Sequence, residues 1–169
     1  MKKLSEETLK ENFEKHCEIV EWLLKRSDRE HPAVKHHIRA AIREASNHVG
    51  LNSGAPKHSA QWMSSKAEES MIVGHYEDLI AEHVVPVSVL NQLIVELPNQ
   101  SVREIAEILR RYVIRAVITR EEDDELKAAG LRMSMPKEWD ETDRSNPFAR
   151  YDAVKIRLVK NRYSELFRG

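Results

Sequence analysis

Apolar residues return along the first 26 positions at steps of four and three: Leu9, Phe13, Cys17, Val20 and Leu24, with Glu and Lys between them. That spacing puts one apolar stripe on a helix, capped by Ser5 and ending near Arg26. Pro32 suits the first turn of a second helix, where Val34, Ile38, Ala41, Ile42 and Ala45 share a face and Gly50 is a natural stop. Residues 51–60, LNSGAPKHSA, read as a loop or hinge. A helix is expected over Gln61–Val73. Val84–Leu97 is strongly apolar, and Pro86 interrupts it or starts a new helix. After Ser101, the positions Val102, Ile105, Ala106, Ile108 and Leu109 repeat at helical spacing. β-branched residues crowd Tyr112–Ile118, which predicts a strand. Thr119 then caps REEDDELKAAG, whose early acids suit a helix N-terminus and whose Gly130 suits its end. The segment MSMPKEWDETDRSNPF reads as irregular, Tyr151–Leu158 as a strand, and a short basic helix follows.

The expected fold is therefore α+β and predominantly α-helical. A helical N-terminal arm covers 1–50, a loop 51–60, and a small mixed domain 61–169 carries a few strands among 75–85, 112–118 and 151–158. Composition agrees. Of 169 residues, 41% are apolar and 33% charged, enough for a core, while only 5 Gly and 6 Pro argue against a barrel of many short strands. The single cysteine, Cys17, excludes an internal disulfide and a multi-cysteine zinc site, and its place on the apolar stripe predicts a buried, inert thiol. No apolar run approaches the roughly 20 residues that span a bilayer. The start lacks the apolar stretch of a secretory signal, so a cytoplasmic protein with no membrane partner is expected.

The net charge of -1 hides segregation. Residues 67–99 hold six acids and no Lys or Arg, and residues 121–143 hold nine acids against three bases. Residues 32–66, 100–120 and 144–169 are each basic. Solvated helix faces explain such blocks, and so does a polyanion held beside an acidic centre.

The most informative stretch is HYEDLIAEHVVPVSVL, His75–Leu90. Within it, Glu82-His83-Val84-Val85-Pro86 resembles the opening motif of the HNH, or His-Me finger, nucleases. In that family an acid, a histidine, two apolar residues and a proline end one strand of a ββα-metal unit. The resemblance implies an endonuclease that hydrolyses phosphodiester bonds in DNA or RNA. His83 would be the base that activates water, and Glu82 would hold Mg²⁺ or Mn²⁺. The residue types suit that chemistry: an imidazole takes a water proton near neutral pH, and a hard cation prefers carboxylate oxygen. Adjacent residues on a strand face opposite ways, so a kink or bulge must bring Glu82 and His83 to one site. His83 is the last histidine of the chain. Asn91 and Asn99 are candidates for the asparagine that the family adds, and Glu77, Asp78, Glu121, Glu122 and Asp123 for further acids, with Glu122 as the second metal ligand.

The C-terminal third offers supporting groups. Arg150 is expected to clamp a phosphate at the catalytic centre and Tyr151 to stack on a base; loop packing is the other reading of this segment. Arg111 and Arg115, with Arg103 and Arg110, are candidates for a nucleic-acid backbone, or for pairing with Glu104 and Glu107 on the same helix. A second resemblance rests on Arg43-Glu-Ala-Ser-Asn-His48 and Arg26-Ser-Asp-Arg-Glu-His31, which fit the Arg-x4-His pattern of HEPN ribonucleases. It implies metal-independent RNA cleavage by Arg43 and His48. A third reading is a non-catalytic helical interaction module with a protein partner, such as a phage inhibitor, an antitoxin or an assembly factor; segregated charge serves it equally.

Overall fold

The structure is a computed structural model and describes residues 5–49, 60–141 and 144–162. Residues 51–59 of the expected loop at 51–60 lie outside the described residues, as do residues 163–169 of the basic helix expected after Leu158, where Val159 and Lys160 instead belong to a strand. Among those residues the fold is α+β and helix-dominated, with eight helices and a four-stranded mixed sheet. No described helix is long and apolar enough to cross a membrane.

The chain divides into two compact units, and the division is not the linear one expected. Residues 5–49 and 87–113 form a helical unit; residues 60–86 and 114–162 form the sheet unit. The helical unit holds α1 (Glu6–Leu24), α2 (Pro32–Asn47), α4 (Val87–Val95) and α5 (Val102–Tyr112). Ser5 caps α1 by accepting from the Thr8 amide at 3.1 Å, and the stripe Phe13, Cys17, Val20 and Leu24 is buried as its spacing predicts. A capping box between Ser101 and Glu104 starts α5, which buries Ile105, Ala106, Leu109 and Tyr112. α1 packs on α2 and α5, α2 on α4, and α4 on α5. A lone amphipathic arm would leave its stripe in water, so the helices of 87–113 cover it.

In the sheet unit, β1 (Trp62–Ser64) leads into α3 (Ser65–Ile72), and β2 (Leu79–His83) into the helical unit. β3 (Arg115–Thr119) leads into α6 (Arg120–Ala128); the short α7 (Glu138–Glu141) and α8 (Ala149–Ala153) precede β4 (Leu158–Lys160). The strand order is β2-β3-β1-β4, with β1 and β3 parallel and the outer pairs antiparallel. Alternation assigns the faces. On one, Met63, Leu79 and Val117 meet Ala67 and Met71 of α3. On the other, Ala116 and Ile118 meet Val84, Leu126 of α6 and Tyr151 of α8.

Two sequence expectations are corrected here. The helix over Gln61–Val73 begins only at Ser65, because Trp62–Ser64 form β1, paired with β3 and β4. Tyr151–Leu158 is not a strand: Tyr151 is in α8, the chain turns at Lys155 with φ 60°, and pairing starts at Leu158.

Candidate functional site

β2 runs in unbroken antiparallel register with β3, from Leu79 opposite Thr119 to His83 opposite Arg115. The kink needed to bring Glu82 and His83 together is absent from this register. Glu82 faces the side that holds Tyr151, and His83 the opposite side.

Glu82 enters a closed knot with Arg150 and Tyr151. The Tyr151 hydroxyl donates a short hydrogen bond to Glu82 Oε1, and Arg150 Nη2 lies 2.8 Å from Oε2. Arg150 is fully buried. Its Nε donates to the Val84 carbonyl at 2.8 Å, and Nη1 donates to the Leu131 and Arg132 carbonyls at 3.2 and 3.3 Å. Nη2 donates to the His83 carbonyl at 2.7 Å and to Tyr151 Oη at 2.9 Å. A guanidinium has five N–H donors, and every one meets an acceptor inside the fold. Arg150 therefore grips the backbone of His83 and Val84 and has no donor left for a phosphate. Tyr151 is 0% exposed, so its ring cannot stack on a base. Burial, then the charge of Glu82, pushes its hydroxyl well above the usual tyrosine range, which keeps it a donor to Glu82.

Glu122 is also closed. Its Oε2 accepts from Ser64 Oγ at 2.5 Å, from the Thr119 amide at 2.9 Å and from Thr119 Oγ1 at 3.2 Å. It is 3% exposed and completes the capping box that starts α6. The other candidate acids are distributed: Glu121 pairs with Lys66, Asp123 with Arg132 and Asp78 with Arg120, while Glu77 is exposed. Asn91 and Asn99 belong to the helical unit. Among the described residues no group of three or more His, Cys, Asp or Glu could hold a metal ion. Both oxygens of Glu82 are engaged and Glu122 serves a helix cap, so these two carboxylates, as they stand, do not fit the Mg²⁺ or Mn²⁺ site expected of them.

His83 and Arg115 are brought together. They pair directly across the ends of β2 and β3, on one face, both half-buried. Burial lowers the proton affinity of Arg115, which its guanidinium tolerates without losing its charge. Arg111 lies on α5 in the helical unit, exposed, with its guanidinium 5.0 Å from the Tyr112 ring centre. Arg43 is exposed on α2, and His48 caps that helix with its ring 4.2 Å from the His16 ring. Sequence reasoning missed Ser64 and Trp62. Ser64 had a readable signal, a serine followed at helical spacing by Ala67 and Met71; the pairing of Trp62 with Lys160 depends on distant chain and had none.

No family model, curated protein or solved structure matches this chain.

Proposed function

We propose that this chain cleaves phosphodiester bonds in DNA or RNA as an endonuclease similar to the HNH kind, with His83 as general base and Arg115 on the phosphate. The observation that carries the reading is the His83–Arg115 pair at the ends of β2 and β3, in a strand–strand–helix run completed by α6, which packs on both strands. Residues 87–113 are inserted between the two strands. The imidazole takes a proton from a water whose oxygen attacks phosphorus; the bond to the leaving oxygen breaks, and solvent protonates it. The Arg115 guanidinium offsets the charge that builds on the phosphoryl oxygens. Arg150 acts as a positioning residue, since its bonds to the His83 and Val84 carbonyls fix the strand end that presents the imidazole.

Plasmid nicking and RNA cleavage, each with Mg²⁺, with Mn²⁺ and with EDTA, test the proposal. Cleavage by the wild type should fall about 100-fold or more in His83→Ala. Equal rates in the two proteins remove His83 as base, and nucleic acid left intact under every condition overturns the reading.

A second reading, a protein-interaction module, is favoured by Ile72, Val73 and Tyr76, which stand 67%, 66% and 48% exposed at and just beyond the end of α3. It expects a complex recovered by pull-down and lost in an Ile72→Lys, Val73→Lys double variant; undiminished recovery counts against it.

A further inference from the structure

The sheet unit carries a shallow depression of about 290 Å³ that no step above uses. Its walls include Trp62, Phe148, Arg157 and Asp152. Trp62 and Phe148 meet edge to face, with ring centres 5.0 Å apart and planes at 64°. Both are half-buried, so each is anchored in the core and still reaches the surface. Lys160 pairs across from Trp62 in the β1–β4 register, and its Nζ stands 4.1 Å from the indole centre. Asp152 is exposed, and its carboxylate accepts from Asn146 Nδ2 at 2.8 Å. The chain from Ala153 to Arg162 contains Lys155, Arg157, Lys160 and Arg162 and no acid, and all four cations are exposed.

An open aromatic wall beside exposed cations is the combination that holds a flexible polyanion with flat groups, because bases stack on the rings and phosphates meet the cations. A rigid duplex keeps its bases stacked on one another and would meet only the cations. From this juxtaposition we infer that the Trp62–Phe148 depression is a stacking site for a base of single-stranded nucleic acid, with Arg157 and Lys160 on the flanking phosphates. Tyr151, the stacking residue expected from the sequence, borders the same depression but is 0% exposed, and Trp62 and Phe148 take that role. The inference rests on the nucleic-acid reading for its class of ligand, and its test reads binding rather than cleavage.

The test is fluorescence anisotropy of labelled oligo-dT and oligo-U against the full chain. Wild type should bind both, and Trp62→Ala should weaken binding at least about tenfold. Trp62→Phe, which keeps a ring in the wall, should restore most of it. Because Trp62 also packs in the core, the surface variant Arg157→Glu, Lys160→Glu provides an independent arm. It should weaken binding and flatten its dependence on salt. Absence of wild-type binding, or equal binding by wild type and the surface variant, overturns the inference. Binding without any cleavage leaves it standing and removes the catalytic reading; cleavage with binding indifferent to these variants does the reverse.

Discussion

The hydroxyl of Ser64 donates to a carboxylate oxygen of Glu122 at 2.5 Å and accepts the amide of Ala67 at 3.0 Å. One serine thus caps α3 and ties it to the carboxylate that completes the cap of α6. The two helices follow neighbouring parallel strands, β1 and β3, so the bond joins two strand-to-helix corners. Ser64→Ala removes a cap and leaves a buried carboxylate short of one donor, at a cost of about 1–3 kcal/mol. Urea unfolding of the two proteins measures it; an unchanged midpoint would show that the corner relaxes without penalty.

Arg150→Met should be among the most destabilising single changes in the chain. It leaves Glu82 without its cation and strips four backbone carbonyls of a donor. Removal of one member of a buried ion pair costs about 3–5 kcal/mol. Tyr151→Phe keeps the packing and loses only the hydroxyl, so about 1–3 kcal/mol is expected. Urea denaturation ranks the two, and a Tyr151→Phe loss equal to that of Arg150→Met would show that the knot does not depend on the guanidinium.

Stability should fall on mild acidification. The His16 ring lies against His48, and burial first, then the charge of His48, lowers its proton affinity below the ordinary 6.5; Glu44 acts the other way. A histidine depressed in the folded state contributes stability that is present above pH 6.5 and lost as pH falls through the lower folded value. Thermal unfolding from pH 8 down to pH 5 should show this loss in wild type and a flatter profile in His16→Gln. Superimposable profiles would remove the histidine pair as the cause.

Cys17 should be inert in the native protein. Burial pushes its thiol up to about 11, so thiolate is scarce at neutral pH as well as inaccessible. A thiol reagent such as DTNB should label it only after unfolding in urea. Rapid labelling of the native chain would mean that α1 opens readily.

Local features were legible because local rules govern them. The stripe of α1, the Ser5 cap, the start of α2 at Pro32 and the two capping boxes at Ser101 and Thr119 each involve residues within one or two helical turns. Gly130 ends α6 with φ 73°, where the Leu131 amide returns to the Leu126 carbonyl at 2.8 Å, as a glycine after a helix predicts. The candidate site was half legible. The Glu82-His83 segment stood out and lies within the 75–85 stretch where a strand was expected; what each side chain meets was not legible.

The sequence by itself determined the predominance of helix and the single buried thiol, because periodicity and capping act over a few residues. Only the tertiary structure decided that residues 87–113 cover the N-terminal helices, since an apolar stripe specifies burial without naming its cover. It likewise decided that Arg150 and Tyr151 close on Glu82. A guanidinium serves a phosphate or a carboxylate equally well, and its acceptors here, Glu82, His83, Val84, Leu131 and Arg132, come from segments up to 68 positions away in the chain. Folding chose among those acceptors by proximity, which no local pattern records.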